Sequence, residues 1–483
     1  MPNENPLDGL YNEINEIFHA KSAAIFGVSR KGGLGNLLLQ AYLDSKFTKI
    51  FPINPKAANN NDKIMGLDVF PDLKSIDGTV DLVISAVHPK FVKDVIIQSG
   101  EKGVKGVILF SAGFSEKDKS GKEKEDELVR IAQKYKLRLI GPNCMGLYCP
   151  STRLSFFPSL PIESGSVSFI SQSGSIANLL CFISAQRGLY YQKMVSFGNG
   201  CDLDFNDFLY YLGEDPETKV IACYLEGVKD PQRTVSLMNN IIKKKPIIIW
   251  KVGRTPSGKK AASSHTGSLC GSETLWDSAF KQTGIITVNN IRELVETIAI
   301  FINPKIPKGN KVGIVSGPGG PAVNSADACD MVGLKLAEFS EDSRMKLSKI
   351  LPAYGTSIEN PVDVGLQTDA ILELRVIDII GRDPNVDMLF IYLSMLQRKQ
   401  YKELLKLQKE INKPIVIVTT FELTGSSETL SPAIRMFFPP LKPKSVPQAV
   451  KEMYLNGISI FSTEQIAAKA LFELYRYNKI KEK

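Results

Sequence analysis

The sequence predicts an α/β protein made of three successive doubly wound units. Short apolar runs alternate with amphipathic stretches for nearly the whole length, as expected for parallel sheets covered by helices on both faces. Each unit opens on an apolar run that passes into a glycine- or serine-rich turn and then a helix. The 483 residues suit three domains of roughly 150 residues each.

The first unit, placed at 1–150, opens on Ser22 to Val28, turns through Ser29-Arg30-Lys31-Gly32-Gly33-Leu34-Gly35 and enters a helix from Asn36. The runs Lys49 to Asn54, Asp81 to Val87, Gly106 to Phe110 and Leu137 to Ile140 complete its sheet. The second unit, at 151–303, opens on Ser166 to Ile170, followed by Ser171-Gln172-Ser173-Gly174 and an apolar helix. It continues through Lys219 to Leu225 and Pro246 to Val252, and closes on a helix holding Ile291 to Phe301. Residues 303–309 read as a linker. The third unit, at 304–483, opens on Lys311 to Val315 and Ser316-Gly317-Pro318-Gly319-Gly320.

Composition excludes several classes. The net charge of +8 is spread along the chain, and its densest run, Lys243-Lys244-Lys245, reads as a solvated helix end rather than a nucleic-acid patch. No apolar stretch approaches the ~20 residues of a membrane span, and Met1-Pro2-Asn3-Glu4-Asn5 lacks the features of a signal peptide. Seven cysteines without C-x-x-C spacing argue against a disulfide framework and a zinc site. A cytoplasmic enzyme without its own metal is expected.

Three segments carry chemistry. Gly27 to Gly35 joins a strand to a helix, where free N–H groups favour a phosphate. Its spacing is not G-x-G-x-x-G, and the second strand ends in Asn54-Pro55-Lys56 where an NAD site wants an acid. A cation there suits a phosphorylated ribose, as in coenzyme A or NADP; glycines serving turn geometry alone are the other reading. Gly253-Arg254-Thr255-Pro256-Ser257-Gly258-Lys259 imitates a P-loop, but Lys260 replaces the magnesium-binding Ser or Thr. Pro256 and the Ala/Ser-rich continuation speak against a following helix, so a long, flexible, cationic loop is expected. His265 lies in that stretch, flanked by small residues, with Arg254, Lys259 and Lys260 nearby. Its imidazole is either a covalent nucleophile or a plain exposed loop residue. His19 reads as structural, and His88, beside Pro89, lines the first-unit site.

Several strings then stand in one family's order: Gly141-Pro142-Asn143-Cys144-Met145-Gly146, Ser171-Gln172-Ser173-Gly174, Ser196-Phe197-Gly198-Asn199, Tyr224-Leu225-Glu226-Gly227-Val228, Ser263-Ser264-His265-Thr266-Gly267-Ser268-Leu269 and Asn360-Pro361-Val362-Asp363-Val364. Over nearly its whole length the chain resembles the α subunit of NDP-forming acyl-CoA synthetases: the ADP-forming acetyl-CoA synthetases and, more distantly, succinyl-CoA synthetase. The resemblance implies a Rossmann-like CoA-binding domain followed by two flavodoxin-like CoA-ligase domains. It implies the reversible conversion of a small carboxylic acid, CoA and ATP into acyl-CoA, ADP and phosphate, through an acyl phosphate. His265 is then the phosphoryl carrier, and Glu226 accepts a hydrogen bond from its other ring nitrogen, the carboxylate–imidazole logic of catalytic triads. Ser171, Gln172, Ser173 and Gly174 hold the transferring phosphate at a helix start. Gly27, Ser29, Asn54, Lys56, Val87, Pro89, Ser111 and Gly113 surround CoA, with Asn143 and Cys144 near the reacting groups. His88 departs from the family, whose members carry a small residue or proline there.

Cys144 reads as structural, and the other cysteines as packing residues. With His265 six residues before Gly271, an extended arm reaches at most about 20 Å, so the carrier is expected to move between sites. Nucleotide and Mg²⁺ belong to an ATP-grasp module. Because the chain ends soon after its third unit, that module is expected on a separate β subunit, in an α2β2 heterotetramer. Two rivals stay in play: a CoA- or nucleotide-binding regulatory protein of the same fold, and an NADP-linked oxidoreductase.

Overall fold

A computed structural model describes residues 6–60, 62–266, 272–365, 370–394, 396, 398–419 and 446–482. They form two compact units: 1–182 with 190–289, and 183–189 with 290–483.

The first unit holds two large sheets and a small two-stranded one. One is built from β1 (Ser22–Phe26), β2 (Lys49–Ile53), β5 (Leu82–Ser85), β6 (Gly106–Leu109) and β7 (Arg138–Ile140), all parallel, in the order β2-β1-β5-β6-β7. A small hairpin, β3 (Lys63–Ile64) and β4 (Leu67–Asp68), follows β2. Just beyond it Phe70 forms a parallel bridge with Ile53, its N–H and C=O bonding Pro52 O and Asn54 N at 2.9 Å. Counting Phe70 as a third strand reduced to one residue gives the Rossmann order 3-2-1-4-5-6. Helices cover both faces, so β1, β5 and β6 are buried along their length and read as continuous apolar runs.

The second sheet comprises β8 (Gly146–Tyr148), β9 (Val167–Ser171), β10 (Tyr191–Ser196), β11 (Val220–Leu225), β12 (Ile247–Lys251) and β13 (Ile286–Val288), in the order β13-β12-β11-β9-β10-β8. Only β8, on the edge, is antiparallel. Without it the order is the flavodoxin-like 2-1-3-4-5. Bonds between the sheets are buried or half-buried: Arg138 donates through two nitrogens to Asp202, both at 2.9 Å, and Asp202 also accepts the Leu139 N–H at 2.8 Å.

The second unit carries β14 (Lys311–Ser316), β15 (Lys335–Leu336), β16 (Val362–Asp363), β17 (Met388–Leu393), β18 (Ile415–Thr419) and β19 (Ile458–Phe461). The order β15-β14-β17-β18-β19, with β16 beside β14, is again parallel and flavodoxin-like. Helix Ile291–Ile302 packs within this unit: Phe301 meets Tyr477 edge-on at 5.7 Å, and the Glu296 carboxylate accepts the Ser462 N–H at 3.0 Å.

The expected loop after Gly253 is a helix over Pro256–Thr266. Proline at a helix start gives up an N–H that has no partner there anyway. Thr255 Oγ1 accepts the Gly258 N–H at 3.1 Å, and Lys259 to Ala262 are good helix formers. The remainder of the expected loop, residues 267–271, lies outside the described residues. Among the described residues no helix is long and apolar enough to cross a membrane.

Candidate functional site

In open α/β sheets the ligand crevice forms where the strand order reverses, beyond the carboxyl ends of the strands. Both large sheets of the first unit place candidate residues there.

In the first sheet the reversal lies between β1 and β5. Gly27 follows β1 at φ 91°, and a Cβ on it would stand 2.4 Å from Ala86 O. Gly35, in the first turn of helix Leu34–Asp44, packs so closely that a Cβ there would lie 2.4 Å from the Gly27 carbonyl. The turn is braced by Asn36, whose amide exchanges hydrogen bonds with the Ser29 N–H and C=O, both at 2.9 Å. Asn54 caps helix Pro55–Asn59 by accepting the Ala57 N–H at 3.1 Å, and donates to Val28 O at 2.7 Å. Lys56 stands exposed on that helix. On the β5 side the Ser111 hydroxyl donates to Val87 O, and Pro89 opens a 3-10 turn through Phe91. The exposed His88 caps that turn, its Nδ1 accepting the Lys90 N–H at 3.4 Å. Gly113 (φ 105°) donates its N–H to the Glu116 carboxylate.

In the second sheet the reversal lies between β9 and β11. Ser171 ends β9, its buried hydroxyl donating to Ser173 O at 2.7 Å and accepting the Ser173 N–H at 3.1 Å. Ser173 Oγ accepts the Ile176 N–H at 3.4 Å, capping helix Gly174–Gln186. The N–H groups of Gly174 and Ser175 come first in this helix and have no acceptor within it. Glu226 follows β11 directly and is buried, with a relative exposure of 4%. The Gln172 side-chain oxygen accepts the N–H groups of Glu226 and Gly227 at 2.5 and 3.0 Å. The main chain of His265 lies in the last turn of helix Pro256–Thr266. Its side chain, and with it the expected bond to Glu226, lies outside what is described.

One short segment ties the two crevices together. Asn143 adopts φ 58° and donates its N–H to Ser111 O at 3.0 Å; Asn199 and Cys201 donate theirs to Pro142 O at 3.0 Å and Gly141 O at 2.8 Å; Met145 donates to Ser196 Oγ at 3.2 Å. The Asn199 amide reaches Glu116 at 2.6 Å and Glu125 at 2.7 Å. Burial pushes the Glu116 carboxyl upward, but bonds from the Gly113 N–H, the Asn199 amide and the Phe114 N–H outweigh it and hold the group below its ordinary value. Sequence alone assigns Glu116, Gly198 and Asn199 no role, although Gly198 and Asn199 lie in the family-like string Ser196-Phe197-Gly198-Asn199.

Cys144 is buried, its Sγ 3.5 Å from the Leu109 and Ile140 carbonyls, and burial pushes its thiol up to about 12. It stays protonated near neutrality, so Cys144 is expected to resist iodoacetamide at pH 8 in the folded protein and to react after denaturation. Alkylation of the native protein at Cys144, read by peptide mass spectrometry, would contradict this. The described cysteines are all free, and Cys270 lies outside the described residues. Among the described residues no group of three or more His, Cys, Asp or Glu is placed to hold a metal ion.

Two switch-point crevices joined through one segment make a composite site, and sequence comparison supplies its class: a CoA-binding acyl ligase. Residues 21–150 match the CoA binding domain family, and residues 164–301 the succinyl-CoA ligase-like flavodoxin domain family. The chain is 36% identical over 412 residues to the α subunit of acetate–CoA ligase (ADP-forming) II of Pyrococcus furiosus, covering 83% of this chain and 89% of that one. It is 33% identical to acetate–CoA ligase (ADP-forming) I of Archaeoglobus fulgidus, covering 97% of this chain but 64% of that longer one. The solved dinucleotide-forming acetyl-coenzyme A synthetase 1 of Ca. Korarchaeum cryptofilum, in complex with phosphate and ADP, superposes with a TM-score of 0.81 at 29% identity over 98% of each chain. The chain belongs to the ADP-forming acetate–CoA ligase family, as an α-subunit-type member.

Proposed function

We propose that this chain catalyses the CoA and phosphoryl half-reactions of an ADP-forming acyl-CoA synthetase, with His265 as the covalent carrier. The observation that supports this most is the placement of Ser171 to Gly174 and Glu226 on adjacent strand ends of one crevice, bonded to each other through Gln172. Read toward ATP, phosphate attacks the thioester carbonyl, the C–S bond breaks, and CoA leaves as the thiol. The His265 ring nitrogen then attacks phosphorus; an N–P bond forms, the P–O bond to the acyl group breaks, and the carboxylate departs. Nucleotide diphosphate takes the phosphoryl group in turn, breaking N–P and forming O–P.

Glu226 accepts the hydrogen bond of the other ring nitrogen and stabilises the cationic phosphoimidazole, while the Gly174 and Ser175 N–H groups receive the phosphate at the helix start. Gly27, Ser29, Asn54, Lys56, Val87, Pro89, Ser111 and Gly113 frame CoA, with Lys56 toward the 3′-phosphate. Asn143 sits where the thiol and acyl group meet, and Cys144 supports it without reacting. The enzyme names of the relatives favour this reading over a regulatory protein.

The domains are assigned as 1–150, 151–303 and 304–483. ATP or ADP with Mg²⁺ is assigned to an ATP-grasp β subunit in an α2β2 heterotetramer; the longer single-chain relative, of which this chain covers 64%, fits a further module elsewhere. Free cysteines suit the cytoplasm.

The test is to incubate the chain, alone and with a candidate partner subunit, with labelled acetyl phosphate or ATP. Acid-labile, base-stable label is expected on the wild type and not on His265→Ala. Equal turnover by the two would sink the mechanism.

A further inference from the structure

We infer that Lys251 is a positioning residue for Glu226 in the phosphohistidine step, an inference that rests on the function proposed above. Lys251 ends β12 at a relative exposure of 5%. Lysine is almost never buried unless its ammonium is bonded, because leaving water is costly for a full charge. Here the ammonium donates to Glu226 O at 2.6 Å and Val252 O at 2.5 Å, and lies 5.4 Å from the centre of the Trp276 ring.

The strand order explains the reach. β12 lies beside β11 with Lys251 opposite Leu225, so the ammonium stands next to the residue that follows Leu225. From the other flank, β9 delivers Gln172 to the Glu226 N–H. Buried side chains from the two neighbouring strands thus hold both main-chain polar groups of Glu226. A clamped backbone fixes the position and direction of the Cα–Cβ bond from which the buried carboxylate is aimed, which is how a supporting shell places a catalytic group.

Lys251 also touches the root of the carrier segment. Trp276 lies in helix Glu273–Thr283, where the chain returns after His265. That helix is held again by Arg254, which bonds Glu273 at 3.2 Å and Asp277 at 2.7 and 3.0 Å. The positive charge of Lys251 therefore stands where Glu226 and the outgoing and returning ends of the carrier come together.

The test uses the full chain with labelled acetyl phosphate, comparing wild type, His265→Ala, Lys251→Met and Lys251→Arg, with CoA binding measured by calorimetry. Lys251→Met keeps the length and removes the donors and the charge. Its labelling rate at saturation is expected to fall about 100-fold, the scale of a misaligned reacting group. The half-saturating acetyl phosphate concentration and CoA affinity should hold. Lys251→Arg, which keeps charge and donors, should recover about tenfold of the loss. Three results would overturn the inference: Lys251→Met labelling at the wild-type rate, both variants equally slow while binding CoA, or Lys251→Met losing CoA binding, which marks a general role in the fold. A wild type that takes no label on His265 would instead refute the proposed function.

Discussion

Glu226→Gln is expected to slow phosphorylation of His265 by acetyl phosphate about 10³- to 10⁴-fold, the scale seen when a triad carboxylate becomes an amide. The substitution conserves volume at a site that is 4% exposed, and the two bonds that Gln172 and Lys251 make to the main chain of residue 226 do not depend on its carboxylate. In the proposed mechanism, what is lost is the negative charge that stabilises the imidazole as it becomes cationic on taking the phosphoryl group. Glutamine can also present its NH₂ to the ring, which no longer fixes the tautomer whose free nitrogen faces phosphorus. Rapid-quench labelling measures the rate, and CoA titration checks that the first crevice is intact. Labelling within a few-fold of wild type would remove Glu226 from the mechanism and leave it a role in packing.

The crevices were legible because their signal is local. Strands buried on both faces must be apolar throughout, and the turn after a first strand must carry small residues, so Gly27 to Gly35 and Ser171 to Gly174 announce themselves. The third strand of the Rossmann half was invisible because Phe70 alone performs it, and one residue has no period. The helix over Pro256–Thr266 is hard to read from sequence because proline breaks a helix interior, whereas at a helix start it is favoured and Thr255 completes the cap. The role of Asn199 is not legible in the sequence because its partners Glu116 and Glu125 lie 83 and 74 residues away, a distance no pattern spans. Lys251 could have been found: a charge closing the apolar run Pro246 to Val252 is out of place unless it is bonded.

The segment that joins the crevices yields the other large effect. Gly198 sits at φ 54°, and a Cβ on it would stand 2.2 Å from Pro142 O and 2.3 Å from Asn143 O. Neither atom is the end of a flexible side chain, so Gly198→Ala must push the 142–143 backbone away. The left-handed conformation costs an alanine about 1 kcal/mol and the overlap about 2 more, so a destabilisation of about 3 kcal/mol is expected in urea unfolding. The push bears on the Asn143 N–H bond to Ser111 O and the Asn199 N–H bond to Pro142 O, and so on the side of the site proposed for CoA and the acyl group. Ser171 to Gly174 and Glu226 are bonded through Gln172 instead. The two half-reactions should therefore separate. Labelling of His265 from acyl-CoA plus labelled phosphate should fall about 100-fold, as a displacement near 1 Å allows, while labelling from acetyl phosphate, which bypasses the thioester, should fall only a few-fold. Equal losses in the two assays would mean that the segment does not hold the CoA crevice in register with the phosphate crevice.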